Sequence, residues 1–496
     1  MEVAGEPSVA LHSELRALAE RSAQRAVTSA VRARWLVYGV AGGYALLFVA
    51  AAAVHFVAFR AGRADLGWMA QSVWSTAHGH FLESTTVAGR QMTRLGGHVD
   101  PFLALLVPAW WVWPSPLMLE VVQAIAVATG ALPVFWLARK HLRSERAAVH
   151  FAFAYLLFPA TQFNALTITS GFHAVSVAVP LILFAIWFLD EDRLVPFAVF
   201  ALLAASTKEE IALAVGCLGI WYAVRKGRRL VGLTIFTLGT AVTLINFLVV
   251  IPHFSPSGIS PFAARYSDVG TTPGGIVHKA FTDPTAILHA VATGHKLFYV
   301  VLLLGPFLGL WLRAPLLFLG AVPDLAINLL SSKSDQTVIA YHWTAGIVPF
   351  TVAASIFGAA RLKRDPNRVS LWALVTVSCL AVISPIYLTI ARGDIAAALS
   401  ASPARTAKAH AISLVPEDVP VSASNQLATY IPARRYMYVF PVVRRADWVV
   451  VDRNDDTYAD GPGYRRAVRG ASSNGRWRRI YSSHGIEVLH RRAAGP

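Results

Sequence analysis

Through residue 391 the chain alternates between apolar runs near helix length and short polar stretches. The runs are 35–59, 117–138, 147–165, 172–189, 194–207, 209–224, 230–252, 297–312, 314–330, 343–360 and 369–391. A helix crossing the hydrocarbon core needs about 20 apolar residues, and fewer suffice where helices pack in a bundle. The pattern therefore predicts about eleven transmembrane helices. PFLALLVPAWWVW (101–113) is too short to span, and its prolines and tryptophans suit a re-entrant or interfacial piece. The run Trp35 to Phe59 has only His55 as an ionisable residue. It exceeds the apolar core of a secretory signal, about 7–15 residues, so it reads as a retained first helix.

Two regions break the pattern. Between the first two runs, Leu66, Met69, Val73 and Ala77 recur at helical spacing. They predict an amphipathic helix lying in the membrane surface, with Asp65 at its start. After residue 391 no spanning run occurs. Short β-type strings appear instead: YMYVF (436–440), WVVVD (448–452) and RIYSSHGIEVLH (479–490), the last a hairpin with a Gly-containing turn. LATYIPARR (427–435) reads as a short helix. The fold class expected is mainly α: a polytopic membrane helix bundle with a small α/β C-terminal domain. Its divisions are a segment 1–34, a membrane domain 35–391 with a large first outer loop 60–116, and a domain 392–496.

Composition agrees. Of 496 residues, 55% are hydrophobic and 15% charged, against about 25% charged in a soluble domain. The mean hydropathy is +0.51 and the pI about 10.1. The net charge of +16 arises from 44 Lys+Arg against 28 Asp+Glu. The basic residues sit in short clusters between apolar runs, which argues against nucleic-acid binding and for orientation signals. Arg16, Arg21, Arg25, Arg32 and Arg34 place the N-terminus in the cytoplasm. Alternation then puts 139–146, 190–193, 225–229, Arg313 and 361–368 inside, four of the five being net positive. The C-terminal domain falls on the outer face.

The same threading gathers the unusual polar residues outside. Asp65, His98 and Asp100 lie in the first outer loop, and His173 at a helix start. Lys208, Glu209 and Glu210 form a knot between two runs. Arg265 lies in the loop 253–296, Asp324 inside the run 314–330, and His342 at a helix start. Charge near membrane depth is expensive and is usually paired or functional. Plainer roles exist for each. Asp65 could cap its helix, Lys208 could form a structural ion pair with Glu209 or Glu210, and Asp324 could bond within the bundle. His173 and His342 could anchor at the interface. Trp68, Trp74, Trp110, Trp111 and Trp113 would form an interface belt. Arg434, Arg435, Arg444 and Arg445 would meet an anionic polymer or simply face water. DRNDDTYAD (452–460) lacks the glycine and terminal glutamate of an EF-hand, and P-loop, GxSxG and HExxH strings are absent from the sequence.

Five strings carry a family resemblance: DLGWMAQSVW (65–74), GGHVDPFLALLVPAWWVWPSPLMLEVVQAIAVATGALPVFWLAR (96–139), SGFH (170–173), TKEE (207–210) and YHWTAGIVPF (341–350). Together they resemble a bacterial and archaeal membrane-protein family, the domain of unknown function 2079, over about residues 40–460. That family looks like the integral-membrane glycosyltransferases of the C fold class (GT-C). The resemblance implies an N-in bundle, an acidic catalytic residue in the first outer loop, and a sugar donor on a polyprenyl phosphate. It also implies transfer on the outer face. The acid maps onto Asp65, with Asp100 second and His98 in support. Lys208, Glu209, Glu210, Arg265, His173, Asp324 and His342 would hold the lipid phosphate and sugar. The partners would be that donor, an envelope glycan or protein acceptor and the bilayer, with no nucleic acid. A base and a cation clamp suffice for the chemistry, so no metal is required; His98, Asp100 and His173 are the residues that would hold a divalent ion. A transporter or lipid flippase and a non-catalytic envelope scaffold are the alternatives.

Overall fold

The computed structural model describes residues 7–166, 171–384, 398, 400, 402–455 and 461–492. Every apolar run falls on helix. The first belongs to Pro7–Val57 and the second to Pro116–Thr129 with Ala131–Leu142. Further on come Ala174–Asp190, Leu194–Ala205, Ile211–Lys226, Val348–Ala360 and Pro366–Ile383. The last part of the final run, 385–391, lies outside the described residues.

Several runs nevertheless break into shorter helices. Among the described residues four helices are long and apolar enough to cross a bilayer: Val27–Val57, Pro116–Leu142, Arg229–Phe254 and Pro366–Ile383. Pro284–Val291 and Gly294–Phe307 form an apolar pair bent by 64°, the shape of a broken span or a re-entrant loop. Prolines restart helices inside the other runs, at Pro159 and Pro315, because proline fits the first turn but not a helix interior. Hydropathy alone does not see these breaks.

The largest buried cluster joins the bundle through Phe135, Phe151, Phe158, Phe350 and Tyr155, interleaved with many alanines. Small residues let helices approach closely where lipid removes the hydrophobic drive for association.

The polar loops separate to opposite ends of the bundle, as the threading expects. At one end Lys140 Nζ meets Asp190 Oδ2 at 2.6 Å, Lys226 Nζ donates to the Asp190 carbonyl at 2.7 Å, and Ser144 Oγ donates to Asn367 Oδ1 at 2.6 Å. Arg361 donates to the Arg313 carbonyl. These contacts tie together the loops 139–146, 190–193, 225–229 and 361–368. The other end holds the first large loop, the 207–210 knot, and the segments around Arg265 and His342.

The amphipathic stretch forms the helix Trp68–Ala77, but it does not lie in the membrane surface. Leu66, Met69 and Val73 are buried, and so are Gln71, Ser72 and Ser75 on its polar side. Phe102, Leu103, Trp110, Leu119 and Phe172 cover its apolar face. A short antiparallel hairpin, β1 (Glu83–Thr85) and β2 (Gln91–Thr93), contacts it. The tryptophans divide accordingly. Trp111 and Trp113 are exposed, Trp74 and Trp110 are buried, and Trp68 lines the cavity described below.

The C-terminal region is an α/β unit. Its strands are β3 (Val421–Ala423), β4 (Met437–Val439), β5 (Trp448–Asp452), β6 (Trp477–Ser483) and β7 (Ile486–Arg491), in the order β4-β3-β5-β7-β6. β3 runs parallel to β4 and β5, whereas β7 is antiparallel to β5 and β6. The expected hairpin is present, with His484 and Gly485 at φ 48° and 83°, the signs a tight two-residue turn requires. The helix expected over 427–435 shrinks to Asn425–Ala428.

This unit is bonded to the first loop. The Tyr430 ring lies 4.5 Å from Phe56 and 4.4 Å from Phe59, and its hydroxyl donates to the Phe56 carbonyl at 2.7 Å. Gln71 Nε2 donates to the carbonyls of Arg434 and Arg435, both at 3.0 Å. Thr85 Oγ1 donates to Gln91 Oε1 at 2.8 Å and accepts from the Met437 amide at 3.1 Å. Helix, hairpin and C-terminal sheet thus meet at one hydroxyl.

Candidate functional site

A cavity of about 720 Å³ opens at the end that carries the large loop. Of the ten residues singled out in the sequence, seven line it: Asp65, His98, Asp100, His173, Lys208, Arg265 and His342. Glu209, Glu210 and Asp324 stand behind that wall.

Asp65 is not a helix cap. The cap position of Trp68–Ala77 is Gly67, which makes no side-chain bond. Asp65 sits at φ 70°, a backbone region uncommon outside glycine and often found at functional sites. Its Oδ2 lies 3.2 Å from His173 Nε2, with the carboxylate 36% exposed and the imidazole 4%. Burial works to raise the Asp65 pKa. The positive charge and hydrogen bond of His173, with Arg94 and His98 farther off, outweigh it and hold the carboxyl below its ordinary range.

His173 is itself fixed. Its Nδ1 lies 3.0 Å from the Gly171 carbonyl, an acceptor only, so Nδ1 carries a proton and Nε2 is presented to Asp65. The His173 amide donates to Gln123 Oε1 at 2.7 Å. Gly171 adopts φ 82°, and a Cβ there would approach Leu66 Cβ to 2.8 Å. Glycine is required because the turn before His173 presses against the segment that bears Asp65. His342 stacks on His173 with centroids 3.6 Å apart. Burial, with the charges of His173 and Lys208, lowers the His342 pKa well below the usual value, so it is a neutral ring at physiological pH.

Asp100 has a different setting. Its oxygens accept from Arg94 Nε at 3.1 and 2.9 Å and from Nη2 at 2.6 Å, and it is 3% exposed. This carboxylate is spent on holding Arg94 and is poorly placed to act as a second base. His98 Nδ1 lies 2.9 Å from Glu209 Oε1, and its ring stacks on Phe262 at 4.5 Å. Glu209 also accepts from the Val99 amide at 3.0 Å. The three residues weighed for a divalent ion are each engaged elsewhere, and among the described residues no group of three His, Cys, Asp or Glu is spaced to hold a metal.

A cationic cluster in the same cavity is built on Trp343, whose ring lies 4.3 Å from that of His342. Lys208 Nζ stands 4.9 Å from its ring, the Arg265 guanidinium 5.5 Å and Lys333 Nζ 6.0 Å. Arg265 also covers Phe262 at 4.2 Å. Lys208 is balanced by Glu210 at 2.5 Å. Arg265 makes no ion pair among the described residues; burial lowers its pKa, only partly offset by more distant acids. A half-buried guanidinium between aromatic rings, without a carboxylate, is a seat for an anion.

Asp324 is 5% exposed in the helix Val322–Leu330 and packs against the backbone of Gly346. Its role is in the bundle beneath Lys208.

Sequence reasoning missed Arg90, Arg94, Lys333 and Trp343 in the cavity wall, and Glu120 below it. Glu120 is 3% exposed, and neither side-chain oxygen has a hydrogen-bond partner among the described residues. An acid inside a spanning run is a signal in its own right. Trp343 stood in plain view inside YHWTAG.

This helical bundle, with a polar cavity at its loop-rich end and an α/β unit bonded to the first loop, shares its fold with a membrane protein of known structure. The crystal structure of ArnT from Cupriavidus metallidurans bound to undecaprenyl phosphate superposes with a TM-score of 0.51 at 14% identity, covering 92% of this chain and 99% of that one. The apo structure of the same protein gives a TM-score of 0.48 at 15% identity, covering 92% of this chain and 100% of that one. No curated protein matches the chain in sequence. The chain belongs to the family described as Predicted membrane protein (DUF2079), whose model matches residues 56–488.

Proposed function

We propose that this protein is an integral-membrane glycosyltransferase that uses a sugar carried on a polyprenyl phosphate, on the outer face of the cytoplasmic membrane. The observation that carries this reading is the meeting in one cavity of an acid, Asp65 with His173, and a cation cluster, Arg265, Lys208 and Lys333 around Trp343, joined through the stacked rings of His173, His342 and Trp343. The fold shared with ArnT, whose crystal structure holds undecaprenyl phosphate, supports a lipid-phosphate donor.

The chemistry is a single displacement. The acceptor hydroxyl gives its proton to Asp65, and its oxygen forms a bond to the anomeric carbon. The bond from that carbon to the phosphate oxygen breaks on the opposite side, and the electron pair leaves with the lipid phosphate. Configuration inverts. Arg265 and Lys208 meet the negative charge that develops on the leaving phosphate. A positioned base is worth about 10²–10⁴-fold in rate. His173 keeps Asp65 ionised and oriented, His342 supports that imidazole from behind, and Asp100 fixes Arg94. Glu209 orients His98, and Glu210 balances Lys208. The positive-inside threading supports an outward-facing cavity and C-terminal unit.

The test is Asp65→Asn in purified protein with an undecaprenyl-phosphate sugar. Transfer should fall about 10³-fold while undecaprenyl phosphate still binds. Unchanged transfer would remove Asp65 from the chemistry.

A further inference from the structure

The hairpin β1–β2 belongs to two structures at once. Its residues Ser84, Thr86, Arg90 and Met92 line the cavity. Its other edge is bonded to the C-terminal unit through Thr85 and Gln91. At the hairpin tip Gly89 adopts φ 70°, and a Cβ there would stand 2.7 Å from both Arg444 Nε and Val442 Cγ1. The tip is therefore seated on the 442–444 turn, and the seam has no slack.

Exposed arginines gather along this seam. Arg90 is at the cavity wall, and Arg435, Arg444 and Arg445 are on the C-terminal side. The Arg435 and Arg445 guanidiniums lie 5.7 and 5.5 Å from the Tyr436 ring, and Arg445 Nη1 donates to its hydroxyl at 3.3 Å. None of the four makes an ion pair with a carboxylate among the described residues. Elsewhere in the unit Arg453 pairs with Glu487, and Arg491 with Asp447 at 3.7 Å. Arg434, next in sequence, is no part of the patch. It is 4% exposed and donates to the carbonyls of Ile431, Pro416 and Val419.

We propose that this seam is the acceptor platform and that the acceptor is a glycan bearing carboxylate or phosphate groups. The inference rests on the glycosyltransferase reading. The region 435–492 holds twelve arginines and no lysine. A guanidinium offers a planar fork that matches carboxylate and phosphate in two parallel bonds, which an ammonium does not. Tyr436, flanked by two of those forks, gives a flat apolar face for a sugar ring beside its anionic substituent. The patch also leads somewhere. Arg90 continues it onto the cavity wall that Asp65 shares, so a chain held at Arg435 and Arg445 can extend a hydroxyl into the cavity. The hairpin is held by Thr85, in the strand pair next to the turn, and at its tip by the 442–444 turn, so platform and cavity keep a fixed spacing.

The experiment measures binding of fluorescent polygalacturonate, poly(glycerol phosphate) and neutral dextran of matched length to the purified full chain at physiological salt. R435Q/R444Q/R445Q is compared with R465Q/R466Q/R469Q, which removes equal charge from the helix Gly461–Ser473. Wild type should bind one polyanion and not dextran. The seam variant should bind at least about ten-fold more weakly, and the matched variant should stay within about two-fold of wild type. Equal loss in both variants, equal binding of dextran, or no binding of either polyanion overturns the proposal. Undecaprenyl phosphate binding is measured on the same samples and should be unchanged in the seam variant. Its absence from wild type would sink the transferase reading separately from the platform.

Discussion

The two polar ends of the bundle are built from the same residue types and reach opposite results. At the end with the short basic loops, the acids pair with bases of neighbouring loops. Asp190 holds Lys140 and sits 2.8 Å from His141 Nε2, and Asp192 takes Arg228 at 3.2 Å. The loops close on one another there. At the other end Arg265 has no carboxylate among the described residues, two imidazoles stack face to face, and Asp65 is 36% exposed to open space. Matched charge fastens helices together; unmatched charge around a cavity leaves work for a ligand.

The largest effect should come from exchanging the two key acids. Asp65→Asn should remove about 10³-fold of transfer with a smaller change in melting temperature than Asp190→Asn, because the carboxylate is 36% exposed and an amide of the same shape can still bond the His173 ring. Asp190→Asn should do the reverse. It takes from His141, 13% exposed, its carboxylate partner and from Lys140 one of its two, at a site where Asp190 is 2% exposed, so the melting temperature should fall clearly. Transfer per folded molecule should survive. Thermal melts beside activity assays check both arms, and matching losses at the two acids would erase the distinction.

A second test turns on pH. Transfer needs Asp65 ionised, so the rate should fall as pH drops through its pKa. Because His173 chiefly offsets the upward pull of burial, that acid limb lies below the ordinary carboxylate range. In His173→Gln the burial remains and the opposing charge is gone, so the limb must move to higher pH. A limb that stays in place would show that His173 does not tune Asp65.

A smaller effect is expected at Thr85. Thr85→Val keeps the shape but strands the Met437 amide and releases Gln91. Amides of residues 83–93 should exchange hydrogen faster and transfer should fall several-fold, about the effect of one lost buried hydrogen bond. Thr85→Ser should restore both. Failure of serine to rescue would mean that packing, not the hydroxyl, holds the hairpin.

Much of this was legible in the sequence, for physical reasons. Apolar periodicity located most helices of the bundle, because burial in lipid leaves a dense signal, but it read Pro273–Thr282 and Pro284–Val291 as loop. Polar residues inside or beside those runs stood out against it, which is why seven of ten singled-out residues line one cavity. Pairing was not legible. Asp65 and Asp100 look alike along the chain, yet one meets a histidine and the other is locked to Arg94 six residues before it. The helix Trp68–Ala77 shows an amphipathic pattern, but its polar face is buried against the hairpin and the C-terminal unit, which a membrane-surface reading cannot foresee. Trp343 carries no charge and gave no signal, although three cations gather on it.

The central claim is that the cations gathered on Trp343, of which only Arg265 lacks a carboxylate partner among the described residues, are a lipid-phosphate seat. The most direct measurement is a titration of undecaprenyl phosphate into purified wild type, Arg265→Gln and Arg228→Gln. Wild type and Arg228→Gln should bind alike, and Arg265→Gln should bind at least about ten-fold more weakly, the loss of one charge-assisted contact. Equal binding by all three, or none by wild type, would contradict the account.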